Sequence, residues 1–370
     1  MIIDGFTAPG FERVRDAFAR NLEAGELGAA FTAMRDGDVL VDLWGGWADR
    51  AKTRPWARDT LAPVFSTTKP IAALVVAHLI DSHGLDFETP LASIWPEFSV
   101  HGKERATIAE ALSHQAGVPG FVAPIDPDLW LDPQGLAAAL AQEAPLWPPG
   151  GASGYHALTW GAIAGEIVRR VAGKSLGVLL RENICAARAI EFWIGLPDEH
   201  HARVAEIVRP KRFPDFGPIT PAKTAAFLAP WAAPKRGGAD WKRAEIPAAN
   251  GHGTARAVAS LYGVFAQAGF VTSERMLSQR AYDAFTAPRR AGDDLVLPFN
   301  LDWRAGVIGN SNGFYGPNRA ALGHSGWGGS CGFGDPEAGV SAAYVMNAQS
   351  HHLMGDPRAL HLIEALYTAL

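Results

Sequence analysis

The sequence contains little cysteine and no long apolar run. Its 370 residues include two cysteines, Cys185 and Cys331, which are too few for a disulfide framework and favour a reducing compartment. No segment approaches the roughly 18 consecutive apolar residues of a membrane-spanning helix. Residues Met1–Phe6 also lack the basic and then apolar pattern of a secretory signal. We therefore expect a cytoplasmic protein without a membrane partner.

Charged residues are also scarce, at 19% of the chain, and the formal net charge is −5. Lysine and arginine are scattered along the sequence, which argues against nucleic acid or an anionic membrane as a partner. The pairs His200-His201 and His351-His352 are adjacent in sequence, so their side chains point in different directions, and no His-Glu-x-x-His motif occurs. We expect no metal, no cofactor and no nucleic acid, while homo-oligomerisation stays open.

The order of the predicted elements indicates one sheet built from both ends of the chain. At 370 residues the chain is too long for one ordinary core and long enough for two domains or one domain with a large insertion. Strand-like segments occupy residues 29–47 and 319–346, and helical periodicity dominates between them. We predict an α+β fold (α/β in the broad sense). Residues 1–75 and 255–370 form its antiparallel sheet and flanking helices, and residues 76–254 form an inserted, mostly helical domain.

Local signals refine this outline. A proline-rich segment, residues 210–247, is predicted to form a lid or rim, with the active site between the two domains. Apolar spacing predicts a helix opened by Pro9, and residues 157–172 are predicted to be helical and to stop at Gly173. Thr107, Thr254 and Pro357 are predicted to open three further helices. The apolar face of the last helix is predicted to contain Leu360, Ile363 and Tyr367.

The most apolar segment of the chain follows a serine and a lysine that are one helical turn apart. Residues 71–80, after Ser66-Thr67-Thr68-Lys69-Pro70, predict a helix that is buried on all sides and ends at Gly84. Burial would lower the pKa of Lys69, so that its amine could take the proton of Ser66, and the helix N-terminus would favour an oxyanion. Ser66 is a candidate nucleophile and Lys69 its candidate base, although an ordinary N-cap serine fits the same pattern.

Two later segments could complete such a site. Tyr155 follows a Pro-Gly loop, residues 148–154, where it could relay a proton or simply pack the loop down. His324 begins the segment His324-Ser325-Gly326-Trp327, whose neighbouring glycines allow a substrate to approach a strand closely. His324 could donate a hydrogen bond there, or be an ordinary polar residue at a strand end.

The order and spacing of Ser66-x-x-Lys69, Tyr155 and His324-Ser325-Gly326 resemble the serine β-lactamase and penicillin-binding-protein superfamily. Within this superfamily the sequence looks most like class C β-lactamases and the β-lactamase-like family VIII carboxylesterases. The likeness runs from about residue 28 to the last predicted helix and includes the segment Leu112–Gly117. The resemblance implies a β-lactamase-like fold.

The resemblance also assigns roles to residues. Ser66 would be the acylated nucleophile, Lys69 its hydrogen-bonded base partner and Tyr155 the proton relay. His324-Ser325-Gly326 takes the place of the family's Lys-Thr-Gly. The backbone N–H groups of Ser66 and Trp327 would form the oxyanion hole.

Two departures from the family pattern favour an esterase. The family's Tyr-x-Asn is Tyr155-His156-Ala157 here, so the amide that would hold a β-lactam or peptide side chain is absent. His324 replaces the family's lysine, so a substrate carboxylate would be held more weakly. We expect a serine hydrolase acting on a small-molecule, short-chain ester, with β-lactamase or D-Ala-D-Ala peptidase activity and an inactive scaffold as alternatives. Phe121, Trp147 and Trp327 lie in segments expected to border the pocket.

A second serine motif competes with Ser66. The segment Gly328-Gly329-Ser330-Cys331-Gly332 satisfies the Gly-x-Ser-x-Gly pattern of α/β-hydrolases. That pattern requires a strand-to-helix turn, followed by an acid and a histidine. Predicted strand and turn follow Ser330 instead, so Ser330 is the weaker candidate nucleophile.

Overall fold

The computed structural model describes residues 3–370. Its strands, in chain order, are β1 (Ile3–Thr7), β2 (Gly28–Arg35), β3 (Asp38–Gly46), β4 (Ala62–Pro63), β5 (Phe192–Trp193), β6 (His252–Gly253), β7 (Phe270–Val271), β8 (Glu274–Arg275), β9 (Arg290–Asp293), β10 (Asn300–Trp303), β11 (Ile308–Gly309), β12 (Leu322–Ser325), β13 (Cys331–Asp335) and β14 (Val340–Met346).

The α-helices, in chain order, are α1 (Glu12–Glu23), α2 (Thr68–His83), α3 (Leu91–Ile94), α4 (Ile108–Leu112), α5 (Pro133–Gln142), α6 (Thr159–Ala172), α7 (Leu176–Leu179), α8 (Pro221–Lys223), α9 (Ala239–Arg243), α10 (Ala255–Ala266), α11 (Gln279–Thr286) and α12 (Pro357–Ala369). Shorter 3-10 and π turns connect several of them, including the 3-10 turn Phe65–Thr67 ahead of α2.

A nine-stranded antiparallel sheet has the order β1-β3-β2-β14-β13-β12-β11-β10-β9. The N-terminal hairpin β2–β3 joins the C-terminal strand β14, in which Tyr344 lies opposite Phe31. The sheet is therefore built from both ends of the chain, and the predicted α+β fold is confirmed. The division into residues 1–75 with 255–370 and residues 76–254 stays a prediction.

The sequence patterns did not identify β1 at one end of the sheet or β11, β10 and β9 at the other end. These segments carry glycine, aspartate and asparagine, which are depleted in strands. Strand β9 pairs with β10, and β10 with β11, so the sheet continues well beyond β12. Pairing with an existing sheet edge, which is a tertiary contact, makes these residues adopt strand conformation.

Helices cover both faces of the sheet. Alternate residues of β2 and β14 contribute to two different hydrophobic clusters, as expected for side chains on opposite faces of a strand. Helix α10 packs against β2, β13 and β14 on one face, and α1 and α12 pack together on the other. The buried face of α12 consists of Ala359, Leu362, Ile363 and Leu366, so Ile363 fits the prediction while Leu360 and Tyr367 are only half-buried.

Helix α2 lies in the centre of the core. Its residues 68–77 are all buried, and it packs against α6, α10 and α11. Gly84 ends the helix with a left-handed φ of 64°, as predicted. The α-helix begins at Thr68 rather than at Ser66, because Ser66 belongs to the preceding 3-10 turn. No helix within residues 3–370 combines the length and apolarity needed to cross a bilayer.

Candidate active site

Ser66 lies on a tight turn at the entrance to α2. The preceding residue, Phe65, has a left-handed φ of 48°. This conformation is rare for a bulky residue and persists only where the surrounding contacts hold it. The ring of Phe65 is buried against Trp241, with the ring centroids 6.2 Å apart. The turn thereby fixes the Ser66 hydroxyl beside the first turn of α2, where Lys69 lies.

Lys69 is fully buried and has four polar neighbours. Its Nζ atom lies 3.2 Å from Ser66 Oγ and 2.8 Å from Tyr155 Oη. The same atom donates to the carbonyl oxygens of Ala157 at 2.8 Å and Ala248 at 3.0 Å. Burial lowers the pKa of Lys69 well below its usual value of 10.5. A neutral amine has two N–H groups to donate to these acceptors and a single lone pair, which can accept the proton of one hydroxyl, that of Ser66.

Tyr155 completes a triangle of contacts with Ser66 and Lys69. Its hydroxyl donates to Ser66 Oγ at 2.6 Å. Its backbone N–H donates to Asp294 Oδ1 at 2.9 Å, and Asp294 Oδ2 accepts from Trp303 Nε1 at 3.0 Å. The rings of Tyr155 and Trp303 also stack, with centroids 5.8 Å apart. Burial raises the pKa of Tyr155 above its usual value, so the phenol remains protonated and can pass a proton on.

A cavity of about 90 Å³ opens beside Ser66. Most of its wall is apolar and includes Leu158, Phe227, Trp241 and Trp327. Several wall residues, among them Phe227 and Trp241, belong to the proline-rich segment 210–247, so this segment borders the cavity. The nucleophile candidate therefore faces a small apolar space.

Trp327 reaches the cavity from the loop between β12 and β13. Within residues 3–370, the backbone N–H groups of Ser66 and Trp327 donate no hydrogen bond to another protein group. The carbonyl oxygen of the next residue, Gly328, accepts from the Ser350 N–H at 2.8 Å and from Arg358 Nη2 at 2.9 Å. These contacts fix the loop while its N–H at Trp327 stays available to a ligand.

Ser330 has a structural contact instead of access to the cavity. Its side chain is buried, and its Oγ donates to the carbonyl oxygen of Val64 at 2.7 Å. The Oγ atom also lies 3.1 Å from Thr67 Oγ1. Strand β13 follows Ser330, whereas the α/β-hydrolase motif requires a helix at this point. Ser330 therefore ties β13 to the turn that carries Ser66.

His324 lies behind Tyr155 and is 2% exposed, with the two ring centroids 6.0 Å apart. Burial, and secondarily the charge of Lys69, lower the pKa of His324 to about 3. The neutral ring donates from Nδ1 to the carbonyl oxygen of Ser325 at 2.7 Å, so Nε2 carries no proton. The predicted hydrogen bond from His324 to a substrate carbonyl is not supported by this geometry.

The other predicted pocket residues are divided between the cavity and the core. Trp327 lines the cavity, whereas Ser325 and Gly326 do not. Gly326 packs so closely on Val64 that an added Cβ would lie 2.3 Å from the Val64 carbonyl oxygen. Phe121 is 2% exposed and packs edge-on against Trp130, with centroids 5.7 Å apart. The structure therefore does not bring Phe121 to the cavity, and Trp147 is likewise absent from its wall.

Sequence reasoning missed two kinds of group at this site. Asp294, which anchors the backbone of Tyr155, lies in a polar stretch without a recognisable motif. The carbonyl groups of Ala157 and Ala248 contact Lys69, and a backbone acceptor has no side-chain signal in a sequence. Within residues 3–370 the structure shows no cluster of His, Cys, Asp and Glu that could hold a metal ion.

Comparison with known proteins defines the class. Residues 14–366 match the family described as Beta-lactamase. The Esterase/beta-lactamase LipL of Mycobacterium tuberculosis is 36% identical over 365 residues, which cover 93% of this chain and 82% of LipL. The fold and these matches define a serine hydrolase. The chain belongs to the beta-lactamase family.

Solved structures agree with this assignment. A penicillin-binding protein homolog from Caulobacter crescentus shares 49% sequence identity and superposes with a TM-score of 0.97, with 100% of both chains covered. A family VIII carboxylesterase shares 40% identity with a TM-score of 0.94, again over 100% of both chains. The predicted resemblance and the predicted β-lactamase-like fold are both confirmed.

Proposed function

We propose that this serine hydrolase is a carboxylesterase that cleaves short-chain esters through an acyl-enzyme on Ser66. The observation that carries the proposal is the triangle of Ser66, Lys69 and Tyr155 beside a small apolar cavity. Two similar proteins, an esterase/beta-lactamase and a family VIII carboxylesterase, support the same activity.

In the acylation step, Ser66 Oγ attacks the ester carbonyl carbon and its proton passes to the neutral Lys69 amine. The proton can move directly over 3.2 Å, or through the Tyr155 hydroxyl once its O–H turns from Ser66 Oγ toward Lys69 Nζ. Tyr155 Oη lies 2.6 Å from Ser66 Oγ and 2.8 Å from Lys69 Nζ. The lowered pKa of Lys69 makes the neutral amine available as a base at a lower pH than for an exposed lysine.

The tetrahedral intermediate places negative charge on the former carbonyl oxygen. The N–H groups of Ser66 and Trp327 have no protein acceptor in the described chain, and both residues line the same cavity. These two N–H groups would form the oxyanion hole. Collapse breaks the bond to the alcohol oxygen, which takes the proton from Tyr155 or Lys69. A water molecule then attacks the carbonyl carbon of the acyl-enzyme through the same series of proton transfers, which frees Ser66 and releases the acid.

Two features favour esters over β-lactams and peptides. Ala157, at the position of the family's Asn, lines the cavity but has no side-chain amide, and its carbonyl already contacts Lys69. An amide side chain on a substrate would find no partner there. His324 is neutral and buried, so it gives a substrate carboxylate no positive charge. Esters also have a better leaving group than amides and require less positioning.

Covalent labelling tests the nucleophile. The protein is incubated with a fluorophosphonate, and intact mass is measured for wild type, Ser66→Ala and Ser330→Ala. We expect one adduct on wild type and on Ser330→Ala, and none on Ser66→Ala. A wild-type protein that forms no adduct would be an inactive scaffold, and an adduct retained in Ser66→Ala would disprove the assignment of Ser66.

Turnover measurements test the substrate class. We expect kcat/KM for p-nitrophenyl acetate and butyrate to exceed the values for p-nitrophenyl octanoate, a chromogenic cephalosporin and a D-Ala-D-Ala peptide. The small cavity is the reason for expecting short acyl chains. A clear preference for the cephalosporin would establish β-lactamase activity in place of the esterase.

A further inference from the structure

A larger cleft adjoins the Ser66 cavity and carries concentrated positive charge. Its volume is about 830 Å³, and it shares Phe213, Arg236, Trp241 and Trp327 with the cavity wall. We call it the basic cleft. The charged residues that line it are one glutamate, Glu206, and five basic residues, Arg209, Arg212, Lys235, Arg236 and Lys242.

The positive charge of the basic cleft is not neutralised by the protein. Within residues 3–370, none of its five basic residues forms an ion pair. Glu206 is already engaged by Arg50, whose backbone N–H donates to Glu206 Oε2 at 2.8 Å and whose Nε lies 3.8 Å from Oε1. This local excess contrasts with the net charge of −5 for the whole chain. An anionic ligand would supply the missing counter-charge.

Arg236 lies at the junction of the basic cleft and the cavity. Its guanidinium carbon lies 5.5 Å from the ring centroid of Trp327 and 5.8 Å from that of Phe65, the neighbour of Ser66. The two rings orient the guanidinium group, but no protein group within residues 3–370 accepts a hydrogen bond from it. Its planar fork of N–H donors, which suits a carboxylate or phosphate, is therefore available.

Desolvation within the cleft, together with Arg209, lowers the pKa of Arg236, and a bound anion would oppose both effects. An arginine stays charged throughout the working range of an enzyme, even with a lowered pKa. The position that the family fills with a lysine is the neutral His324 here. His324 does not line the cavity, whereas Arg236 reaches the cavity from the proline-rich segment and places a positive charge beside it.

We propose that the preferred substrates are short-chain esters whose alcohol portion carries an anionic group, a carboxylate or a phosphate, that binds Arg236 and the basic cleft. This inference rests on the proposed esterase function. The acyl group stays on Ser66, where the cavity of about 90 Å³ accommodates a small group. The alcohol must depart, and the adjoining cleft of about 830 Å³ has the room for it.

Matched substrate pairs test the inference. One pair is para-acetoxybenzoate and its neutral methyl ester, and the other is para-acetoxyphenyl phosphate and its neutral dimethyl ester. The quantity compared is the ratio of kcat/KM for the anionic substrate to kcat/KM for its neutral partner. Comparing this ratio between variants cancels the intrinsic reactivity of each leaving group. The pair whose ratio falls more in Arg236→Met than in wild type identifies carboxylate or phosphate as the anion.

We expect Arg236→Met to lower the anionic-to-neutral ratio by about 10- to 100-fold, as for loss of a charge-assisted hydrogen bond. Arg236→Glu should lower it further. The control Arg280→Met removes an exposed arginine of α11 outside the cleft and should leave the ratio unchanged. Raising the salt concentration from about 0.01 M to about 1 M should also lower the wild-type ratio, because salt screens exposed charges.

The outcomes separate this inference from the proposed function. If neutral esters are hydrolysed and the ratio is the same in wild type and Arg236→Met, the inference is wrong and the esterase stands. If no ester is hydrolysed and Ser66 takes no label, the proposed function itself fails. The acyl-side pair is mono-p-nitrophenyl succinate and its methyl ester. If Arg236→Met lowers the anionic-to-neutral ratio only for this acyl-side pair, the anion that binds Arg236 lies on the acyl group. The assignment of the anionic group to the alcohol portion would then be wrong.

Discussion

The Nζ atom of Lys69 lies 2.8 Å from Tyr155 Oη, and both atoms contact Ser66 Oγ. Replacing Lys69 by alanine removes the proton acceptor, so we expect kcat for p-nitrophenyl acetate to fall by on the order of 10³ or more. Tyr155→Phe should also lower kcat, because it removes the hydroxyl that relays the proton.

The control is Ser330→Ala, whose kcat should stay within a few-fold of the wild-type value. A Ser330→Ala variant as inactive as Ser66→Ala would revive the alternative nucleophile.

The pH dependence of activity should follow Lys69 and not His324. Burial lowers the pKa of Lys69, and only the neutral amine can accept the proton, so kcat/KM should rise with pH to a plateau. The pKa of His324 is lowered to about 3, so this ring stays neutral over the working range. The variant His324→Asn can keep the hydrogen bond to the Ser325 carbonyl. We expect its kcat/KM to rise with pH on the acidic side of the plateau, the acid limb of the profile, as in wild type. Loss of that limb in His324→Asn would show that His324 is the titrating group.

Asp294 should act as a positioning residue for Tyr155. One oxygen of its buried carboxylate accepts the Tyr155 N–H and the other accepts Trp303 Nε1. In Asp294→Asn the amide must turn an N–H toward one of these donors, so the pair of acceptors is lost. We expect kcat to fall about tenfold or more with little change in KM, since the cavity wall is unaltered.

The matched control for Asp294→Asn is Asp293→Asn, because Asp293 is the exposed neighbour in β9. Both variants lose one carboxylate, but only Asp294→Asn disturbs the Tyr155 backbone. Equal kcat values for the two variants would show that Asp294 does not position Tyr155. A purely structural role would lower the unfolding midpoint without this selective loss of kcat.

Arg358 should be essential for stability. It forms ion pairs with Glu26 and Asp356, both buried, and donates to the Gly328 carbonyl at 2.9 Å. Arg358→Met would leave two buried carboxylates without their cation, so we expect the free energy of unfolding to fall by about 3–5 kcal/mol. Urea unfolding measures this change. Lys174→Met, which breaks the exposed pair with Glu182, should cost about 1 kcal/mol or less. Similar losses in both variants would contradict the prediction.

Acid should destabilise the fold through its buried histidines. Burial lowers the pKa values of His156, His252 and His324 to about 3, whereas an unfolded histidine titrates near 6.5. Below pH of about 6.5 the unfolded chain takes up protons that the folded chain does not. The free energy of unfolding therefore decreases as the pH is lowered. Each of these histidines should cost roughly 2 kcal/mol by pH of about 5.

The variant His252→Leu tests this effect away from the catalytic triangle. We expect it to reduce the slope of unfolding free energy against pH between about 6.5 and 4. His361→Leu, at an exposed position of α12, is the control and should keep the wild-type slope. An unchanged slope in His252→Leu would mean that this ring gains its proton without unfolding.

The sequence alone determined the main local features. Hydrophobicity on all sides predicted the buried helix α2, and its stop at Gly84 followed from the chirality of the backbone. The Asp36-Gly37 turn between β2 and β3 and the capping box of Thr107 and Glu110 also follow from short-range chemistry. The spacing of Ser66 and Lys69 predicted that they meet, and they lie 3.2 Å apart, although Ser66 belongs to the 3-10 turn ahead of α2.

Tertiary structure alone decided the remaining features of the site. His324 and Phe121 were predicted at the pocket, but their positions depend on which side of a packed element faces the cavity, and both are buried elsewhere. Asp294 and the Ala248 carbonyl lie far from Ser66 in the sequence, and no local pattern marks them. The basic residues that looked scattered along the chain include five that line one cleft. Sequence spacing fixes contacts within an element, whereas contacts between elements depend on how the whole chain packs.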